Sequence, residues 1–246
     1  MEIFMSKVFV IPDVHLKPWM FEQATKLIRQ DSYDRIVLLG DIMDDWGQER
    51  NLELYSETIE ATVTFIVDHP NTWLCYGNHD MSYVWQAFES GYSAYARELI
   101  VKGIQRIEMV LPEGHAAYMH RMDNVLFSHA GLTQKFVLKH FGSSEKVDID
   151  YIIDRINKMG RPYMWEDDSP IWARPQDGGR IYPMGMMQVV GHTPVGKALF
   201  EGNAECGSLL TLDTFSTYSN GTPIGDRLFV WVDTEKMEYH VIETCD

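Results

Sequence analysis

Apolar residues along this chain fall in short blocks of two kinds. KVFVIP (7–12), DRIVLLG (34–40) and TWLCYG (72–77) are brief, nearly continuous runs, the pattern of strands buried on both faces. Between them, PWMFEQATKLIRQ (18–30) and ERNLELYSETIEATVTFIVDH (49–69) space their apolar residues by three and four, which predicts helices. The first opens on a proline, where the missing N–H is tolerated. Strand, helix, strand, helix, strand predicts an α/β layered fold with parallel pairing early in the chain. SYVWQAFES (82–90) and SAYARELIVK (93–102) predict two further helices.

After residue 104 the texture changes. IQRIEMV (104–110), HAAYMHRMD (115–123) and NVLFSHA (124–130) read as successive strands, the last two turning at Asp123–Asn124. Helices return at 133–141 and 145–158. The span 160–185 is irregular and rich in Pro, Gly, Trp and Asp. MQVVGHTPVGKALF (187–200), SLLTLDTF (208–215), RLFVWVD (227–233) and EYHVIE (238–243) then give a strand-rich end. With no repeat, low-complexity tract or linker, one two-sheet domain over residues 1–246 is the expected organisation.

Composition narrows the class. The chain is 45% hydrophobic and 23% charged, as in ordinary globular proteins, but its net charge is −15 with histidine neutral. That field opposes nonspecific binding to nucleic acid or anionic lipid. It permits phosphate chemistry, because bound dications can reverse the local sign. The three cysteines, Cys75, Cys206 and Cys245, are scattered and form no CxxC, which argues against a disulfide framework and for a reducing, cytoplasmic location. The start, MEIFMSKVFVIPDVH, has no basic leader and reads as no signal peptide. No apolar run approaches the roughly 20 residues of a membrane helix.

Candidate chemistry gathers where apolar runs stop. VFVIPDVH, IVLLGD, WLCYGNHD, VLFSHAG and QVVGHT each end in a metal-ligand residue type. Polar groups at strand ends tend to meet in the crevice outside a sheet, so distance along the chain does not prevent convergence. Asp13 and His15 face one side if the strand geometry persists. Asp41 follows Gly40, and Asn78 and His79 follow Gly77, so glycines allow tight bends there. His129 and His192 also follow short apolar runs. A lone DxH or a lone histidine after a strand is weak; five such endings in one chain are not. The donors are oxygen and imidazole without thiolate, which suits Mn²⁺, Fe²⁺, Zn²⁺ or Mg²⁺ better than a structural zinc.

The ordered set DVH, GDIMD, GNHD, SHAG and GHTP resembles the calcineurin-like metallophosphoesterases, and within them the phosphoprotein phosphatases and symmetrical dinucleoside tetraphosphatases. The likeness spans residues 8 to about 214. It implies an α/β fold of two mixed sheets packed as a sandwich and flanked by helices. It also implies two divalent ions, Mn²⁺ in preference to Fe²⁺/Fe³⁺, Zn²⁺, Ni²⁺ or Mg²⁺. Asp13, His15 and Asp41 would hold the first, and Asp41, Asn78, His129 and His192 the second, with Asp41 bridging. His79 would be the acid that protonates the leaving group, oriented by Asp44. Asn78 would also contact substrate.

One position departs from that family. Relatives usually read GDxxDRG, whose arginine grips phosphate; here Asp45 stands in its place. Asp45 is either a solvated loop acid or bound to something else. Arg174 in PIWARP, which resembles the Trp-x-Arg stretch of those relatives, is the candidate for gripping phosphate; Arg97, Arg161 and Arg180 have no motif behind them. Tyr163, Trp165 and Trp172 either stack on a substrate or cover core, Glu166, Asp167 and Asp168 either favour a basic peptide or solubilise a loop, and MGMM (184–187) fills core. The expected activity is phosphomonoester hydrolysis, on phosphoprotein among other substrates. The alternatives are a nucleotide phosphohydrolase or phosphodiesterase of the dinucleoside polyphosphate type, and an inactive metal-binding scaffold.

Overall fold

The computed structural model describes residues 6–142, 148–175, 183, 185–203 and 207–243. In the first half, Lys7–Ile11 (β1), Trp19–Ile28 (α1), Arg35–Leu38 (β2), Leu52–Asp68 (α2) and Thr72–Cys75 (β3) follow the predicted order. Asn78–Trp85 (α3), Arg97–Val110 (α4) and Ala116–Ala117 (β4) come next. The second half runs Met119–Met122 (β5), Val125–Ser128 (β6), Gln134–Phe141 (α5), Ile149–Ile156 (α6), Arg161–Met164 (α7), Met187–Val190 (β7), Leu199–Asn203 (β8), Gly207–Thr211 (β9), Phe229–Asp233 (β10) and Glu238–Ile242 (β11).

Two sheets result. The first has the order β11-β10-β1-β2-β3-β4, with β1 to β4 parallel and β10 and β11 antiparallel on the far edge. The second has the order β5-β6-β7-β9-β8, with β6, β7 and β9 parallel at its centre. Alternation along the strands decides which core each residue enters. Phe9, Ile11, Ile36 and Leu38 face the helical layer, where Met20, Phe21, Ile59, Phe65 and Ile100 pack on them. Val8, Val10, Val37 and Leu39 point the other way, onto Phe127, Val189 and Leu210 of the second sheet. The outer face of that sheet is covered through Leu126 by Phe136, Ile152, Ile156 and Met164. Burying each such side chain contributes about 1.5–3 kcal/mol, so both faces of both central sheets are committed to packing.

Two expectations are corrected. IQRIEMV is the end of α4 and not a strand: Ile100, Ile104 and Ile107 are buried while Met109 is exposed, a three-and-four spacing that only a helix turns to one side. The helix expected over 82–90 begins earlier, at Asn78, and stops at Gln86, which has a left-handed φ of 53°. Its early start comes from Asp80, whose carboxylate accepts from Gly77 N at 3.3 Å in the first turn. The helix expected over 145–158 is described from Ile149, and a short helix, α7, lies in the span read as irregular. Cys206, Cys245, Arg180 and Met184 lie outside the described residues. Cys75 is buried with a free thiol. Among the described residues no helix is long and apolar enough to cross a membrane.

Candidate metal centre

Strand ends share a direction within each parallel sheet, and the contacts of His129 with Asp41 and of His192 with Asp13 bring the C-terminal ends of β1, β2 and β3 to those of β6 and β7. Asp13, Asp41, Asn78, His129 and His192 are buried there, beside the partly exposed His15 and His79. Strand geometry does not carry Asp13 and His15 to one side, as expected; the chain turns instead, with φ of 43° at His15 and 55° at Leu16. The turn is tied to the next loop by Val14 N and His15 N, which both donate to Asp41 O at 3.1 and 2.8 Å. Gly40 has φ of 94°, the bend predicted before Asp41.

Asp41 lies at the middle. Its Oδ2 is 3.8 Å from His15 Nε2 and 3.2 Å from His129 Nε2, and its Oδ1 accepts from His79 N at 2.9 Å. His129 Nε2 is also 2.9 Å from Asn78 Oδ1 and 3.2 Å from His192 Nδ1. The far nitrogens are used elsewhere: His129 Nδ1 faces Leu39 O at 2.8 Å and His15 Nδ1 faces Asp44 O at 2.9 Å. With Nδ1 engaged in this way, both rings turn Nε2 toward the cluster, where it would face a bound cation. Asp13 Oδ2 accepts from His192 N at 2.7 Å, while Asp13 Oδ1 and His192 Nε2 are buried without a hydrogen-bond partner. Asp41, His129 and His192 form one group able to hold a cation; Asp13, His15 and Asp213 form another.

Asp213 was missed in the sequence, although SLLTLD is a sixth apolar run ending in an acid. It ends the segment after β9, and its carboxylate accepts from Ser216 N at 3.2 Å and Ser216 Oγ at 2.8 Å. Burial pushes its pKa up to about 6, and Asp41 adds to the rise. Burial likewise raises Asp13 well above the carboxylate range, with Asp213 adding to it. Burial would also raise Asp41, but the histidines around it outweigh that and hold it low. Burial lowers His15 to about 4 and His192 well below its usual value. At His129 burial is outweighed by Asp41 and Asp13, and the pKa rises to about 9. Buried carboxylates in this excess call for cations.

His79 stands at the cleft. Its Nδ1 is 3.2 Å from Asp44 Oδ2, and Asp44 Oδ1 accepts from Tyr55 OH at 2.8 Å and from Tyr83 OH. Burial opposes charge on the ring, yet Asp41, Asp44 and Glu89 prevail and raise its pKa to about 10. Glu89, which the sequence reading also missed, lines the same cleft and follows no strand, so no pattern pointed to it. Asp80 closes the loop from below by accepting from Ile42 N at 3.0 Å and Met43 N at 3.3 Å.

The cleft has a volume of about 220 Å³, and Trp172, Arg174, Asp45, Trp46 and Glu89 are among the residues lining it. Arg174 is exposed at its mouth and donates to Thr193 Oγ1 at 3.1 Å. Asp45 is not a solvated acid: its carboxylate accepts from Lys17 Nζ and Thr217 Oγ1, both at 3.0 Å, and from its neighbour Trp46 N. The other candidates are engaged elsewhere. Arg161 donates to Trp85 O, Arg97 opens α4, Trp165 packs in the core edge against Trp172, and Glu166 and Asp168 pair with Lys139 and Lys135 of α5. Tyr163 is exposed and its ring meets His140. Met186 and Met187 are buried, as expected of core filling.

The sequence profile of the calcineurin-like phosphoesterases matches residues 6–220. A protein serine/threonine phosphatase from Saccharomyces cerevisiae, with similarity to human phosphatase PP5, superposes with a TM-score of 0.56 at 17% identity, covering 98% of this chain and 80% of that one. An archaeal phosphodiesterase (TM-score 0.45, 12% identity, 96% and 98% covered) and a metallophosphoesterase from Sphaerobacter thermophilus (0.44, 14%, 97% and 89%) also align. No curated protein matches the sequence. At these identities the structural likeness is one of fold. The profile match carries more, and with it this chain belongs to the calcineurin-like phosphoesterase family, as a metal-dependent phosphoester hydrolase.

Proposed function

We propose that residues 1–246 form one domain that binds two divalent ions and hydrolyses phosphomonoesters, phosphoserine or phosphothreonine in proteins among them. The position of Asp41 carries this reading: one buried carboxylate lies between His15 Nε2 and His129 Nε2, with Asn78 and His192 beyond. The donor set fits such ions. Asp13 Oδ1 and His192 Nε2 are buried without partners, and the cluster is oxygen and imidazole without sulfur, a set open to Mn²⁺, Fe, Zn²⁺, Ni²⁺ or Mg²⁺, of which the family likeness favours Mn²⁺. Asp13, His15, Asp41 and Asp213 would serve one ion, and Asp41, Asn78, His129 and His192 the other. When bound, such ions acidify water and neutralise charge on a phosphoryl group.

The protein does the rest. His79, charged and held at Nδ1 by Asp44, keeps a proton at Nε2 and would deliver it to the leaving oxygen. Asp44 is itself fixed by Tyr55 and Tyr83, so the imidazole is aimed before substrate arrives. Arg174 at the mouth would grip a phosphoryl oxygen. Among the described residues it is the one arginine or lysine lining the cleft, while Asp45 and Glu89 line the walls. One such cation at the mouth suits a single phosphoryl group better than a chain of four. The scattered cysteines, with no CxxC among them, favour a cytoplasmic location.

The test is turnover of a phosphoserine peptide against diadenosine tetraphosphate in one Mn²⁺ buffer. The peptide is the expected substrate. Faster cleavage of the dinucleotide would replace this reading with the nucleotide one, and metal binding without turnover of either would leave a scaffold.

A further inference from the structure

Asn78 serves the centre only if its amide oxygen, and not its NH2, is turned toward the histidines. Its Oδ1 lies 2.9 Å from His129 Nε2, and its Nδ2 donates to Glu89 Oε2 at 2.7 Å. Reversing the amide would set a carbonyl against a carboxylate, so Glu89 fixes which atom faces inward. The other oxygen, Glu89 Oε1, is 3.7 Å from His79 Nδ1, beside Asp44 Oδ2. The Glu89 side chain is 7% exposed and Oε1 has no hydrogen-bond partner, so it is not an ordinary solvated acid.

The segment that carries it is built to hold it there. After α3 the chain turns at Gln86 and is pinned at Ser93, whose N donates to Tyr83 OH at 2.7 Å and whose Oγ accepts from Ala96 N at 2.9 Å. Tyr83 is the same hydroxyl that donates to Asp44, and its ring stacks on Tyr92 at 4.4 Å between centroids. Loop and acid pair are therefore one hydrogen-bonded unit.

We propose that Glu89 is a positioning residue of the metal centre: through Oε2 it turns the Asn78 oxygen toward the ions, and through Oε1 it reinforces the hold of Asp44 on His79. The inference rests on the two-metal reading above. Its test is titration of Mn²⁺ alone into metal-free protein by calorimetry, for wild type, Glu89→Ala and Glu89→Gln, with a melt of each metal-free form. Glu89→Ala is expected to weaken Mn²⁺ binding by about 10–100-fold without lowering the metal-free melting temperature. Glu89→Gln, whose amide oxygen still accepts from Asn78, is expected to restore most of that loss. Should alanine unsettle the loop, Glu89→Asp, one methylene too short to reach, repeats the comparison. Equal binding by wild type and Glu89→Ala overturns the inference alone, as does a glutamine variant no better than alanine. A wild type that takes up no Mn²⁺ overturns the two-metal reading and this inference with it.

Discussion

Four charged or imidazole side chains of the centre sit on left-handed backbone: His15, Asp41, Asp44 and His192, with φ from 43° to 68°. For residues with a Cβ this costs on the order of 1–3 kcal/mol each, and it persists only where neighbouring contacts over-determine it. Here the contacts are plain: His15 N and His192 N are anchored on Asp41 and Asp13, Asp41 Oδ1 accepts from His79 N, and Asp44 is held by His15, Tyr55 and Tyr83. Residue identity told which side chains were candidates; it did not tell that they would be presented by strained turns instead of extended strand. A residue-scale prediction lies away from the centre. His120 is buried against Trp73 and faces Leu74 O at 3.0 Å through Nε2, and burial lowers its pKa to about 4. The neutral ring is favoured in the folded state, so its contribution is full above about 6.5, is lost as pH falls toward 4, and stays lost below. Between pH 7.5 and 4.5, metal-free wild type should lose roughly 2.5 kcal/mol more stability than His120→Gln in urea unfolding. Parallel losses in the two proteins would refute this.

Elements matter through where they end. β1, β2 and β3 stop within two residues of Asp13, Gly40 and Gly77, and β6 and β7 stop within two residues of His129 and His192. The segments then pass so close that a side chain does not fit. A Cβ on Gly77 would overlap Asp41 Oδ1 and N, and one on Gly191 would overlap Asp13 Oδ1. Gly77 has φ of −93°, a conformation any residue adopts, so space alone excludes alanine there. Gly77→Ala should therefore displace Asp41, cost about 1–3 kcal/mol by overpacking and abolish Mn²⁺ uptake. Calorimetry and a denaturant melt would check both; a variant that binds Mn²⁺ like wild type would place Asp41 outside the centre. At this scale the strands and the longer helices were legible from period alone. The end of α4 was not, because a seven-residue window holds two isoleucines, too few to separate a helix face from a strand.

In the whole molecule the candidate ligands come from both sheets: Asp13, Asp41 and Asn78 from the ends of the first, His129, His192 and Asp213 from the second. Ions held there would join the two halves of the sandwich across an apolar interface that already includes Val10, Val37, Val189 and Leu210. Each ion bound to the folded state alone contributes about 2.7 kcal/mol at a hundredfold excess over its Kd, which for a chain of this size raises Tm by roughly 5–10 °C per ion. Calorimetric melts should show one transition that moves up by that amount with Mn²⁺ and returns with chelator. Two transitions, with only one responding, would divide the chain into separate domains.

The sequence by itself determined the strand-helix order of the first half and the family, and it placed oxygen and imidazole donors where apolar runs stop, because periodicity and the residue types that close each strand are local properties. It also marked Asp45 as a departure. Only the tertiary structure decided that Asp45 turns to Lys17 and Thr217, that Asp213 joins Asp13 and His15, and that Glu89 backs Asn78 and His79. Each of those contacts joins segments that no repeat or spacing relates. Their partners are fixed by how two sheets and a loop close on one another, and that closure is set by packing summed over the whole core.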